Sequence, residues 1–170
     1  MSRATTGPVQ GDRLQLVTFR IAEDQFATDI FAVERVLRFA APRSIPNVPA
    51  WLEGVIDYRG RVVPVIDLRR RFELPPASSR DSARILVLVV GEEWVGAIVD
   101  GVRDVTTIAA SRLEPAPPLF RGLARQYLRG LVRPEMEGEP VLVVLDVAEL
   151  LTAQERIVLE HAVSGASSNA

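Results

Sequence analysis

The sequence predicts a mainly β protein built as two small β-barrels, with one short C-terminal α-helix. Short runs of β-branched and aliphatic residues, broken by turn residues, fill most of the chain. Residues 14–36 align with residues 83–105 without a gap, which indicates duplication of one β unit, although a chance match of apolar strands is the alternative. Closing each copy into a barrel would remove exposed strand edges.

The strands follow from alternating or continuous apolar runs that are separated by turn signals. In chain order they are predicted at residues 14–21, 26–30, 55–57, 62–67, 84–90, 94–99, 128–132 and 141–146. Residues 29–38 suit both a helical stripe and a strand, and we favour a short turn followed by a strand. The turn at residues 58–61 contains Gly60, which can adopt positive φ.

The helix is predicted at residues 152–163, because Thr152 and Glu155 have the spacing of a capping box. Small and polar residues at 1–11 and 164–170 predict disordered tails. Residues 73–82 are rich in proline and serine and predict a boundary between two subdomains. We expect subdomain 1 to comprise residues 12–76 together with the helix, and subdomain 2 to comprise residues 83–150.

Composition excludes several classes of protein. Hydrophobic residues make up 48% of the chain and charged residues 25%, as in a globular domain. The net charge is −2, which does not favour nucleic acid as a partner, and cysteine is absent. All basic residues are arginines, so Schiff-base lysines and P-loop lysines are impossible. No signal peptide or membrane span is visible in the sequence, and a cytoplasmic location is the default expectation.

Candidate catalytic groups are few, and we predict neither an enzyme nor a cofactor or metal site. His161 is the single histidine, and no nucleophile motif accompanies it. The recurring strand-end aspartates Asp57, Asp67, Asp100 and Asp146 are interpreted as structural, with Asp67 and Asp146 capping the helical turns that follow them. The run Arg69, Arg70 and Arg71 is interpreted as a solvated face, and the alternative is a ligand-binding or RNA-binding barrel that uses these arginines.

The remaining features favour a protein-binding module. Arg59 lies at a hairpin tip beside Gly60, where a planar guanidinium would project from a rigid turn. Many apolar residues fall in predicted loops, more than small barrels can bury, and exposed apolar patches mark interaction sites.

Residues 45–69 (Ile-Pro-Asn-Val-Pro-Ala-Trp-Leu-Glu-Gly-Val-Ile-Asp-Tyr-Arg-Gly-Arg-Val-Val-Pro-Val-Ile-Asp-Leu-Arg) closely resemble the signature of CheW-like coupling proteins. The resemblance continues through residues 94–105, 116–118, 126–131 and 142–151, and it covers about residues 13–160. It implies two SH3-like five-stranded β-barrels packed around a common hydrophobic core. It also implies a protein without enzymatic activity, and the length of the chain predicts a stand-alone coupling protein.

The resemblance implies an adaptor that couples methyl-accepting chemoreceptors to a CheA-type histidine kinase. The expected partners are the kinase regulatory domain, the cytoplasmic tips of the receptors and, in rings, other CheW-like proteins, without nucleic acid or membrane insertion. The expected location is the cytoplasm, with recruitment to membrane-associated receptor arrays. By position, the resemblance implies receptor binding by Arg59, Gly60, Val33, Arg35, Val36 and Gly54. It implies kinase binding by Ile45, Pro46, Asn47, Val48 and Pro49.

Three departures from the family pattern concern partner-facing positions. Arg35 stands where the family has glutamate, Asp57-Tyr58 replaces Asn-Leu, and Arg125-Gln126 replaces a stretch that is often acidic. Because complementary charge selects partners, we predict a receptor or kinase set distinct from that of the main chemotaxis pathway.

Overall fold

The structure, a computed structural model, describes residues 12–117, 119–120 and 123–168. The predicted tail at residues 1–11 lies outside this part of the chain. The first half contains β1 (Arg13–Ile21), β2 (Asp24–Asp29), β3 (Val33–Arg38), β4 (Leu52–Tyr58), β5 (Arg61–Asp67) and the short α1 (Leu68–Arg71). The second half contains β6 (Arg84–Val90), β7 (Glu93–Val99), β8 (Gly101–Ala109), β9 (Leu113–Glu114), β10 (Leu119–Phe120), β11 (Leu123–Ala124), β12 (Leu128–Val132), β13 (Leu142–Leu145) and α2 (Ala153–Ser168).

The order of the elements supports the predicted duplication. The hairpin β1–β2, the 3-10 turn Ile30–Ala32 and β3 correspond in sequence order to β6, β7 and β8. In the same way, β4, β5 and α1 correspond to β12, β13 and the 3-10 turn Val147–Glu149. The predicted turn followed by a strand in residues 29–38 is confirmed.

The strands form two main sheets. Sheet 1 has the order β8-β1-β2-β13-β12-β9, and sheet 2 has the order β3-β6-β7-β5-β4. A separate two-stranded hairpin pairs β10 with β11. Sheet 1 has one strand more than the five predicted, because the two-residue β9 pairs with β12 beside Gly130. A Cβ at Gly130 would lie 2.6 Å from the Glu114 carbonyl oxygen, so only glycine admits this sixth strand.

The sheets do not follow the predicted subdomain boundary at residues 73–82. Sheet 1 combines the β1–β2 hairpin of the first half with β8, β12 and β13 of the second. Sheet 2 combines the β6–β7 hairpin of the second half with β3, β4 and β5. The predicted subdomains 12–76 and 83–150 are therefore wrong. The two copies share one strand pattern, so a hairpin could pair with strands of its own copy or with the equivalent strands of the other copy. The local sequence does not distinguish these two pairings.

One large apolar cluster joins both sheets and the C-terminal helix. Phe19 and Phe26 from sheet 1 pack in the same cluster as Ile66 and Leu86 from sheet 2, and α2 contributes Leu159. Each of these side chains is at most 4% exposed. Each sheet also has smaller buried clusters of its own, and the shared cluster adds to them the apolar area that two small barrels bury against each other. The expected common hydrophobic core is present.

The helix α2 begins with the predicted capping box. Glu155 N–H donates to Thr152 Oγ1 over 3.1 Å, and Thr152 N–H donates to Glu155 Oε1 over 2.9 Å. The helix ends at Ser168, five residues beyond the predicted end at Val163. The predicted disordered tail is therefore helical as far as Ser168, because adding residues to an existing helix costs little, and residues 169–170 lie outside the described part.

A partly buried ion pair attaches α2 to the rest of the fold. The Arg71 guanidinium donates from Nη1 to Glu155 Oε2 over 2.7 Å and from Nη2 to Oε1 over 2.6 Å. Burial alone raises the pKa of Glu155, but hydrogen bonds from Arg71 and Thr152 and the charge of Arg71 outweigh it, so the pKa lies below its ordinary value.

Glu155→Gln is expected to reveal this ion pair through the pH dependence of stability. The folded-state pKa is lowered, so ionised Glu155 stabilises the fold above its ordinary pKa of 4.5, and the contribution is lost as the pH falls through the folded value. We expect the variant to lose about 1–2 kcal/mol at pH 7 and much less at pH 3. Urea unfolding at each pH measures the difference. The role would be contradicted if the loss of unfolding free energy were the same at both pH values. It would also be contradicted if the control Glu160→Gln, at an exposed position of α2, lost as much.

Candidate protein-interaction surface

The tip of the β4–β5 hairpin is a two-residue turn formed by Arg59 and Gly60. Tyr58 pairs with Arg61 across the hairpin. Arg59 has φ +51° and Gly60 has φ +78°, which is the pattern of a type I′ turn. This turn matches the twist of the flanking strands, and it presents the Arg59 side chain, 59% exposed, from a rigid base.

Arg59 is held loosely by two neighbours. Its Nη1 lies 3.7 Å from Glu34 Oε2 on β3, and its guanidinium carbon lies 5.5 Å from the centre of the Tyr58 ring. Tyr58 donates its hydroxyl hydrogen bond to the same Glu34 oxygen over 3.4 Å. Exposed ion pairs of this kind are weak. Glu34 therefore orients the Arg59 guanidinium but leaves the other N–H groups of Arg59 available to a partner.

An aromatic pair supports the tip from below. The rings of Tyr58 and Trp94 meet edge to face at 5.2 Å between centres. The Arg61 guanidinium stacks on Trp94 at 4.1 Å, and Arg61 lies 4.0 Å from Glu93. Sequence analysis did not assign Glu34 or Trp94 to the site. Glu34 lies at the start of β3 and Trp94 lies just after the β6–β7 turn. Their proximity to the hairpin tip is apparent only once the order of strands in sheet 2 is known.

The predicted receptor-binding residues of β3 lie on an edge strand of sheet 2. Val36 is 40% exposed and Phe31, just before the strand, is 53% exposed. Arg35 is also exposed, whereas Val33 is half-buried against the main core. Glu34 lies between these residues and contacts Arg59. The contact of Glu34 with Arg59 therefore places the hairpin tip beside β3, and the exposed residues of these two elements are here called the tip surface (Phe31, Arg35, Val36, Arg59 and Gly60).

Gly54 is buried and lies outside the tip surface. It occupies a bulge of β4 with φ +153°, and a Cβ built there would lie 2.2 Å from the Arg43 carbonyl oxygen. Arg43 and Val55 exchange two backbone hydrogen bonds over this glycine, at 2.8 and 2.9 Å. An effect of Gly54 on partner binding would therefore act through the position of the segment that begins at Arg43.

That segment leads into the loop predicted to bind the kinase. Ile45, Val48 and Pro49 are half-buried, whereas Pro46 and Asn47 are exposed, and Asn47 has φ +61°. The loop faces α2 across an open cavity of about 630 Å³. The lining from α2 is Val158, His161, Ala162 and Gly165.

The arginine run is not a solvated face, so that prediction is wrong for two of its three members. Arg69 donates from Nε to Asp100 Oδ2 over 2.9 Å, and its Nη2 lies 2.9 Å from the same oxygen. Arg71 binds Glu155 and is only 9% exposed. Arg70 alone is exposed, with Glu53 3.6 Å away. The RNA-binding alternative thereby loses two of its three proposed contacts.

The two strand-end aspartates that were predicted to cap helical turns do so. Asp67 Oδ1 accepts from Arg69 N–H over 2.9 Å, and Asp146 Oδ1 accepts from Ala148 N–H over 3.2 Å. Both thus cap the turns that follow their strands. Within residues 12–117, 119–120 and 123–168, no group of three or more histidine, cysteine, aspartate or glutamate side chains is placed to hold a metal ion. None of the helices described there is long and apolar enough to span a membrane.

Two sheets on one core, with a rigid arginine-tipped hairpin beside an edge strand that exposes Val36, define a two-barrel β module whose exposed features suit protein contacts. A family model described as the CheW-like domain matches residues 15–155, and the chain belongs to that family. The predictions of this family and of its fold class, two SH3-like barrels with a C-terminal helix, are confirmed.

Individual relatives agree with this assignment. The chain is 31% identical over 160 residues to the chemotaxis protein CheW of Klebsiella aerogenes, covering 93% of this chain and 95% of the relative. It is 36% identical over 132 residues to a probable chemotaxis protein CheW of Rhizobium etli, covering 78% and 84%. The crystal structure of the scaffolding protein TtCheW from Thermoanaerobacter tengcongensis superposes with a TM-score of 0.76 at 27% identity, covering 84% of this chain and 90% of the other.

Proposed function

We propose that this chain is a non-catalytic adaptor that couples chemoreceptors to a CheA-type histidine kinase in a chemosensory array. The family match and the relatives named chemotaxis protein CheW support this function. The structural observation that carries it is the tip surface, in which Arg59 projects from a preorganised turn and contacts Glu34 on β3, the strand that exposes Val36. The adaptor acts in the cytoplasm and joins membrane-associated arrays through its receptors.

Two regions of the surface divide the binding between partners. Arg59, Gly60, Arg35 and Val36 contact the receptor tip, and Val33 positions that surface. Gly54 acts indirectly, through the segment that begins at Arg43 and leads into the kinase-binding loop. The loop of Ile45, Pro46, Asn47, Val48 and Pro49 contacts the kinase regulatory domain. An array needs both contacts at once, and other CheW-like proteins occupy equivalent positions in rings.

Charge on β3 selects the partners. Glu34 is turned toward Arg59, whereas Arg35 is exposed and carries the opposite charge to the residue usual at its position in the family. A receptor that fits this surface carries an acidic group opposite Arg35, since like charges across an interface are repulsive. Arg35 thus directs the chain to a receptor set distinct from that of the main chemotaxis pathway.

The direct experiment is reconstitution with a chemoreceptor and the CheA-type kinase of the same cell. Kinase autophosphorylation is measured with and without the purified chain. We expect the receptor to control the kinase only when the chain is present. A chain that binds neither component, or receptor control that is the same without it, would refute the function.

Val36→Asp is expected to weaken receptor binding about tenfold or more, because it places a charge in the apolar part of the tip surface. Val36 is 40% exposed, so the unfolding free energy should change little. The matched control is Met136→Asp, since Met136 is 66% exposed on the β12–β13 turn of sheet 1. Pull-down with receptor fragments measures both variants, and equal losses would remove β3 from the receptor contact.

A further inference from the structure

A cavity of about 490 Å³ lies between α2 and sheet 2. Its walls come from the start of β5, the β6–β7 turn and one side of α2. The apolar part of the lining includes the buried side chains of Val63, Val95 and Leu159. The lining also includes five charged residues, Arg61, Glu92, Glu93, Arg156 and Glu160, and a concave space of this volume has the dimensions of a small-molecule site.

Arg156 lines this cavity and is incompletely satisfied. Its Nη2 donates to the Ala148 carbonyl oxygen over 2.8 Å, but its Nε is buried without any hydrogen-bond partner. None of the ion pairs found within the described residues includes Arg156, although Glu160 lies one helical turn away. The enclosed Nε is out of reach of a ligand, but a half-buried guanidinium without an ion-pair partner is costly, and an anion at its Nη atoms would offset that cost.

Nη1 of the guanidinium lies beside the β6–β7 turn. A Cβ built on Gly91, another lining residue, would lie 3.9 Å from Arg156 Nη1. Gly91 has φ +66°, so this position favours glycine for its backbone conformation. The absence of a side chain there leaves room for a ligand oxygen to approach the arginine.

The rest of the lining defines the chemistry of the ligand further. Trp94 is half-buried, and the second arginine of the cavity, Arg61, is already stacked on it and paired with Glu93. Glu92 and Glu160 are exposed, so their charges are screened by solvent. An inorganic anion would be repelled by Glu92 and Glu160 at the rim and would gain nothing from the apolar lining. A ligand with one carboxylate and an apolar body can contact both Arg156 and that lining.

We propose that this cavity binds a small apolar carboxylate, with its oxygens on the Arg156 guanidinium and its hydrocarbon body against Val63, Val95 and Leu159. An aromatic acid such as phenylpropionate fits the available volume. The site does not depend on receptor or kinase binding, and it can be tested on the purified chain alone.

The test is a titration with phenylpropionate, followed by calorimetry and by the indole NMR signal of Trp94, which is assigned with Trp94→Phe. We expect a Kd of about 1 mM or below, in line with the affinity that a ligand of this size can reach. Phenethylamine, which replaces the carboxylate with an ammonium group, should bind at least about tenfold more weakly.

Two charge variants sharpen the result. Arg156→Gln is expected to weaken phenylpropionate binding about tenfold or more, whereas Glu160→Gln, which removes a negative charge from the rim, should strengthen it roughly twofold. If Arg156→Gln unfolds, Val163→Trp provides a second test, because it fills the cavity from α2 and should abolish binding. Equal binding of acid and amine, binding unaffected by Arg156→Gln or Val163→Trp, or no binding up to about 10 mM would overturn the proposal.

Discussion

Replacing Asp100 with alanine is expected to lower the free energy of unfolding by about 3–5 kcal/mol, the typical cost of removing one partner from a buried ion pair. Asp100 is 11% exposed and accepts from Arg69. It also accepts from Ala22 N–H in the β1–β2 turn over 2.6 Å. The substitution would leave the Arg69 charge buried without its ion-pair partner and would remove the acceptor of the Ala22 N–H. The Asp100 carboxylate, which links α1 and the β1–β2 hairpin to the end of β7, would be lost. Urea unfolding measures the loss.

Arg70→Ala is the matched control for this ion pair. Arg70 belongs to the same run, but its side chain is 53% exposed and its contact with Glu53 is 3.6 Å. Exposed pairs contribute about 1 kcal/mol or less, so this variant should remain close to wild type. If Asp100→Ala lost no more stability than Arg70→Ala, the buried pair would have no structural role.

Gly54→Ala is expected to destabilise the fold by about 2–4 kcal/mol, from a steric clash together with positive-φ strain. The new Cβ would lie 2.2 Å from the Arg43 carbonyl oxygen and 2.8 Å from its carbonyl carbon. Both are backbone atoms, so the segment must move as a whole. The displacement would reach the Ile45–Pro49 loop, and we expect weaker kinase binding together with the lost stability. Chemical unfolding and a kinase pull-down measure the two effects.

Gly60→Ala is the matched control, because it introduces the strain of positive φ without a steric clash. Gly60 also has positive φ, at +78°, but nothing lies within 4 Å of its Cβ position. This variant should cost only about 1 kcal/mol, because the backbone preference alone is affected. Equal losses at the two positions would show that the close approach of Arg43 does not limit position 54.

Local patterns in the sequence predicted most of the strands, their turns and the helix start, but they missed the nine-residue strand β8 and the two-residue strands β9, β10 and β11. The strands β6 and β12 match their predicted bounds. The capping box of Thr152 and Glu155 and the cap by Asp67 depend on neighbours within three residues, so the sequence alone contains the necessary information. The duplication was visible for the same reason, since it is a comparison of local patterns.

Long-range pairing could not be predicted in this way. The parallel pairing of β2 with β13 joins residues more than a hundred positions apart, and the two copies offer equivalent partners. The burial of Arg69 and Arg71 was missed because their acids, Asp100 and Glu155, are remote in sequence. A run of arginines is indistinguishable from a solvated face until its partners are located.

The candidate site was predicted in part. The exposed Arg59 and Gly60 were expected from the turn signal and the family motif, and the structure places them at a hairpin tip. Glu34 and Trp94 were not predicted as site residues. Glu34 contacts Arg59, and Trp94 contacts Tyr58 and Arg61, and these contacts depend on the order of strands in sheet 2. The assignment of individual residues to receptor or kinase remains a prediction.

The most direct test of the account is the affinity of receptor fragments for Arg59→Ala, measured by calorimetry beside its unfolding free energy. Arg133→Ala is the control for losing an exposed arginine, since Arg133 is 76% exposed on the other sheet. We predict that Arg59→Ala weakens receptor binding about tenfold or more with unchanged stability, and that Arg133→Ala binds like wild type. Wild-type receptor affinity in Arg59→Ala would contradict the claim that the tip surface binds the receptor.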